Sequence, residues 1–341
     1  MIEFIAEYGL FLLKAVTIVG AIVVVVGTVA AAGRKATMHE GLEIEHLNKK
    51  YQTLASALRQ AILKKADRKA QVKADKEKAK AEAKSADTRP RTFVIDFKGD
   101  LKATAVASLR EEVSAILEVA GPDDQVVVRL ENHGGIVHEH GLATSQLVRI
   151  RDQGIPLLVS VDKMAASGGY LMACVANRLI AAPFAILGSI GVIAQLPNFN
   201  RMLEEHGIDF EMITAGEHKR NVTIFGKNTD EDRAKLKEEL EDVHSLFKDV
   251  VGRYRQELDL EKVATGEHWY GTRALELGLA DELKTSDELL AALAKDRDLY
   301  RVSYKIRQPL QKRILASVDT LLEKADAASW RRRFESRLPR L

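Results

Sequence analysis

From Thr92 onward, short charge-poor runs alternate with amphipathic stretches, and this alternation limits the possible folds more than any other feature of the chain. The strand candidates are Thr92–Phe97, Gln125–Leu130, Pro156–Val161, Arg178–Ala182 and Phe210–Thr214. Helical patterns lie between them. In the stretch from Ala105 to Ala120, Val106, Leu109, Val113, Ile116 and Leu117 recur on one face, and Gly141–Arg151 and Asn200–His206 are shorter examples. Strand, helix, strand, helix at this spacing implies a parallel sheet covered by helices on both faces, an α/β fold. Asp230–Leu258 then reads as one long charged helix with a single apolar stripe, Leu236, Leu240, Val243, Leu246, Phe247, Val250 and Tyr254. Such a stripe packs on the domain or on another subunit.

The N-terminal third is different in kind. Residues 10–32 are apolar except for Lys14 and two threonines. A helix rising about 1.5 Å per residue would cross a hydrocarbon core of about 30 Å over that length. The run opens behind Glu3 and Glu7 rather than a basic n-region, which favours a bilayer anchor over a cleaved signal peptide. Arg34, Lys35, Lys49 and Lys50 follow it, so the charge bias puts the bulk of the chain in the cytoplasm, with the catalytic part on that face of the inner membrane. A stretch dominated by Ala, Lys, Glu and Asp comes next and reads as a solvated stalk that cannot bury a core. The expected organisation is an anchor over 1–35, a stalk over 36–90, a globular domain over 91–300 and a basic amphipathic tail over 301–341. A second uncharged run, Leu179–Leu196, is interrupted by Pro183, Gly188 and Gly191 and reads as buried sheet. The net charge of +2 suggests no nucleic-acid partner, and Cys174, the lone cysteine, allows no intrachain disulfide.

Two glycine-rich corners follow strand candidates. Met164-Ala165-Ala166-Ser167-Gly168-Gly169-Tyr170 places a serine between a strand and a helix start, where a hydroxyl is presented beside unpaired N–H groups. Glu131-Asn132-His133-Gly134-Gly135 is the other. Ligands in parallel sheets bind beyond the carboxyl ends of the strands, so one corner could supply a nucleophile and the other an oxyanion donor. Two tight turns that merely let helices pack on the sheet are the plainer reading. The base is open at this level. His133, His138, His140, His206, His218, His244 and His268 qualify by type, and so does a neutral lysine, for which Lys219 lies just past a strand candidate. His138 and His140, two apart, are poorly placed on a helix to share a metal, so no metal is expected.

Taken together and in order, Met164–Tyr170, Gly188-Ser189-Ile190-Gly191-Val192, Ala215-Gly216-Glu217-His218-Lys219 and the segment Tyr270–Asp281 resemble the signal peptide peptidase A (S49) family of membrane serine peptidases. The anchor, stalk and single catalytic copy are most similar to its SohB branch. The resemblance covers roughly Thr92 to Leu293. It implies the Clp-protease/crotonase fold, with Ser167 as nucleophile, Lys219 as general base, and backbone N–H groups of Gly134 or Gly135 and of Gly168 as oxyanion donors. It further implies a homo-oligomer in which Ser167 and Lys219 meet across subunits, apolar peptide substrates such as residual signal peptides or damaged membrane-protein segments, and no cofactor. One departure stands out: the family's Ser-Pro-Gly-Gly corner is Asn132-His133-Gly134-Gly135 here, and losing the proline frees φ. A non-catalytic oligomeric scaffold on the same fold is the alternative, and acyl-CoA chemistry on a crotonase-like fold a third.

Overall fold

The computed structural model describes residues 9, 11–20, 41–64, 77, 89–216 and 219–306. The chain divides into a compact unit, Leu42–Tyr304, and a second unit made of the two ends. Of the second unit, residues 11–20 are helical. Among the described residues no helix is long and apolar enough to cross a membrane. The rest of the expected span, most of the stalk beyond residue 64, and the tail from residue 307 lie outside the described residues.

The compact unit is built on a parallel sheet. Its spine is β2 (Arg91–Gly99), β3 (Gln125–Asn132), β4 (Leu157–Val161) and β6 (Arg178–Ala181), with β9 (Glu282–Leu283) beyond β6. On the other side of β2 come β10 (Asp298–Lys305) and, at the edge, β1 (Gly41–His46). The pairs β10–β2, β2–β3, β3–β4, β4–β6 and β6–β9 are all parallel. The strands are apolar on both sides because both sides are covered, as parallel sheets require. Phe93, Ile95, Val126, Val128, Leu157 and Val159 face one core, which α2 (Val106–Val119), α3 (Val137–Asp152) and α4 (Gly168–Cys174) cover. Val94, Val127, Leu158, Ile180 and Leu299 face a smaller core closed by Leu47, Leu289 and Leu290. Fully burying a side chain of this size contributes about 1.5–3 kcal/mol.

A short second layer of strands forks from the spine where the site forms. β5 (Met164–Ala166) pairs with β3 through Asn132 and Ala165, then with β7 (Ile186–Gly188), which pairs antiparallel with β8 (His268–Tyr270). The second uncharged run is the expected buried sheet only in β6 and β7; the turn at Pro183-Phe184 and the stretch after Gly188 are irregular, with Phe184 and Ile193 exposed.

Two expectations differ from the structure. The globular part does not begin near Thr92: β1, from Leu42 on, and α1 (Leu47–Ile62) belong to the compact unit. Buried Asn48 holds them there, donating to the carbonyls of Ala294 (3.1 Å) and Arg297 (3.0 Å) and accepting from the N–H of Leu299 (2.8 Å). The expected strand Phe210–Thr214 is irregular and exposed. Its apolar residues suggest a strand, but among the described residues no strand pairs with it. Phe210 instead packs on Phe225, and Phe225 on Phe199, with ring centroids 5.9 and 6.1 Å apart. Residues 192–229 thus form an arm whose one helix among the described residues is α5 (Asn200–Glu205). The arm leads into α6 (Asp230–Tyr254), which a Thr229/Asp232 capping box starts.

Candidate active site

Ser167 sits at the turn from β5 into α4 with φ +52° and ψ −123°. A non-glycine residue there costs of order 1–3 kcal/mol, and the surroundings must hold it in place. Three contacts do so. Its N–H donates to the Gly188 carbonyl at 2.8 Å, its own carbonyl accepts from Leu171 N–H at 3.0 Å, and Gly134 packs directly against it. A Cβ added to Gly134 would lie 2.7 Å from Ser167 Cβ and 2.8 Å from Gly168 N, and φ there is +85°, so only glycine fits. Ser167 itself is half-buried and reachable. Deeper in, Tyr170 is buried and donates its hydroxyl to the Leu279 carbonyl at 3.1 Å, fixing α4 from behind.

The second corner comes to the first. Gly134 N–H donates to Asn132 Oδ1 at 2.9 Å, a side-chain turn typical of asparagine. Ile136 N–H donates to the Leu101 carbonyl at 2.9 Å, tying the loop to the connection after β2. Among the described residues, the N–H groups of Gly135 and Gly168 have no hydrogen-bond acceptor. The Gly134 N–H is already engaged. The loop therefore offers Gly135, rather than Gly134, as its free donor.

Gly134 packs on Ser167 and Gly168, Gly135 follows it in the loop against Leu101, and among the described residues no hydrogen bond joins Lys219 to any of them. Lys219 is exposed on the arm, its N–H closing a turn onto the Gly216 carbonyl at 3.2 Å. Glu217 and His218 lie outside the described residues. Among the described residues no hydrogen bond joins Ser167 Oγ to a lysine, histidine or carboxylate. His140 is buried, His206 Nδ1 bonds the Met202 carbonyl at 2.7 Å, and His133, His138 and His268 are exposed. Also among the described residues, no group of three His, Cys, Asp or Glu side chains could hold a metal. Burial pushes the Cys174 thiol up to about 12, which makes it inert as a nucleophile.

Two residues of this site went unremarked as partners in the sequence: Asn132 and His140, which meet beneath the loop at 3.2 Å. The one sequence signal for the first was an asparagine two residues before a glycine N–H.

Residues 3–147 match the model "Peptidase family S49 N-terminal", and residues 149–300 match "Peptidase family S49". The chain is 42% identical over 324 residues to the probable protease SohB of Haemophilus influenzae, covering 91% of this chain and 92% of that one. It is 52% identical over 230 residues to the probable protease SohB of Buchnera aphidicola subsp. Acyrthosiphon pisum, covering 67% and 68%. Among solved structures, a membrane-bound stomatin-specific protease in complex with a substrate peptide overlays with a TM-score of 0.42 at 12% identity, over 67% of this chain and 98% of that one.

Proposed function

The chain belongs to peptidase family S49 and is a peptidase, and on that premise we propose that it cuts peptides with Ser167 as nucleophile and Lys219 as general base. The observation that carries this reading is the strained Ser167 corner with Gly134 packed against it. Ser167 Oγ attacks the substrate carbonyl and gives its proton to Lys219 Nζ. The carbonyl oxygen, now an anion, is received by the N–H groups of Gly135 and Gly168. The intermediate collapses, Lys219 returns the proton to the leaving amine, and water then releases the acyl group from Ser167 by the same steps.

A lysine base has to be neutral, and an apolar, water-excluding surrounding is what makes it so. In the single chain Lys219 is exposed. We therefore place the dyad across two copies, the arm of one reaching the Ser167 corner of the next. The arm and its vicinity carry apolar side chains suited to such a contact: Ile213 is 95% exposed and Ile193 81%. Anchoring through residues 10–32, a cytoplasmic catalytic face and apolar peptide substrates complete the proposal, and their support is the sequence.

The test uses the full chain in detergent micelles with an unfolded, apolar-rich peptide. Ser167→Ala and Lys219→Ala should each lose activity by about three orders of magnitude or more. Mixing the two inactive variants should restore cleavage, because each supplies what the other lacks. If activity survives Ser167→Ala, the mechanism fails. If mixing restores nothing, the two residues act within one chain.

A further inference from the structure

We infer that His140 is the positioning residue of the oxyanion loop and acts through Asn132. The inference deepens the peptidase reading above and rests on it. Both side chains are 0% exposed, a costly place for two polar groups unless their hydrogen bonds are specific. The Asn132 amide has a defined orientation. Gly134 N–H donates to Oδ1, so that end is the acceptor, and the amide nitrogen points to Met172 Sδ at 3.3 Å. The remaining Oδ1 lone pair faces His140 Nε2 at 3.2 Å.

The same ring touches the other half of the site. A Cβ on Gly168 would lie 2.5 Å from His140 Cγ, so the ring is packed flush against the residue that follows the nucleophile. One imidazole thus braces both proposed oxyanion donors, the Gly134–Gly135 loop through Asn132 and Gly168 by direct contact. His140 Nδ1 lies 3.0 Å from the Ile136 carbonyl, so both ring nitrogens face oxygen acceptors. Only a proton on Nε2 couples the ring to Asn132. A loop that lost this brace would misplace the donor that stabilises the oxyanion without touching substrate binding, which lowers kcat and leaves KM unchanged.

Three variants of the full chain separate positioning from packing. In His140→Gln the amide nitrogen takes the place of Nε2. In His140→Asn it takes the place of Nδ1, and His140→Phe keeps only the ring. The readouts are kcat and KM on an apolar peptide, affinity for a peptide boronate, whose tetrahedral adduct mimics the oxyanion, and the melting temperature. We expect His140→Gln to keep kcat within about threefold. His140→Asn and His140→Phe should lower kcat about 10- to 100-fold, weaken the boronate by a similar factor and leave KM within about twofold. Spectra of isotope-labelled histidine in the unaltered chain should show the His140 proton on Nε2, a measurement that survives poor folding of any variant. Equal kcat in the Asn and Gln variants, or a ring protonated on Nδ1 alone, overturns the inference. If the unaltered chain neither cleaves peptide nor binds the boronate, the peptidase reading falls, and this inference with it.

Discussion

The two regions that the proposed chemistry needs are built in opposite ways. Around Ser167 the main chain is pinned on three sides, glycines are pressed against carbonyls and rings, and buried Asn132 and His140 close the underside. Around Lys219 the chain is irregular, exposed and held mainly by turns of the arm itself, such as the bonds from Asn198 Nδ2 to the carbonyls of Thr223 and Gly226, both 3.0 Å. A nucleophile with its oxyanion donors can be prepared inside one chain, because positioning tolerates little slack. A lysine that must lose water can be completed on assembly. On the proposed reading a single copy would be inactive, and assembly would complete the site.

The contrast can be broken first from its rigid side. Gly134→Ala puts a methyl group on top of Ser167 at a positive φ, and it should lower kcat/KM by about 10²–10³ while the arm keeps its assembly, read by peptide kinetics alongside sedimentation. From the soft side, Ile213→Asp should leave the melting temperature of the single chain nearly unchanged. It should cut specific activity by about tenfold at low protein concentration, with recovery on concentrating the sample, because the change falls on the proposed contact between copies rather than on a core. Activity that ignores dilution in that variant would argue that the arm closes onto its own chain.

A third variant is remote from both regions and serves to sharpen the comparison. Glu112 is buried, and its carboxylate accepts from Tyr304 N–H at 2.8 Å. Burial, aided by the nearby charge of Asp96 and opposed by that hydrogen bond, pushes its carboxyl up to about 7 from an ordinary 4.5. The folded form therefore prefers the proton more than the unfolded form does. The stabilisation is full below the unfolded value and is lost as pH rises through about 7. Glu112→Gln should be more stable than the parent by up to about 3 kcal/mol above that window and equal to it or weaker near pH 4, read as melting temperature against pH. Its kcat/KM should not change.

What the sequence disclosed followed the range of the interactions involved. β2, β3, β4 and β6 were legible because an apolar run in a doubly covered sheet carries its own signature. Ser167, Gly134 and Gly168 were legible because tight corners restrict residue type. The segment Gly41–Ile62 was read as stalk because what holds it to the domain is remote in sequence: β1 lies beside β10, Glu45 pairs with Arg301, and the partners of Asn48 are 246 to 251 residues away. His140 was one histidine among several, and only folding brings it to Asn132. Phe210–Thr214 was misread because apolar spacing says nothing of whether a neighbouring strand exists.

The adjacency of β1 and β10 sets a clock on synthesis. Asn48 leaves the ribosome early, yet the Leu299 amide it must receive is 251 residues behind it. At about 5–20 residues per second, translation keeps that asparagine and its edge strand waiting roughly ten to fifty seconds. For that interval α1 has its first turn uncovered, and the smaller core lacks Leu289, Leu290 and Leu299. Among the described residues the sheet is therefore completed by its last strand in chain order, which comes to lie beside its first.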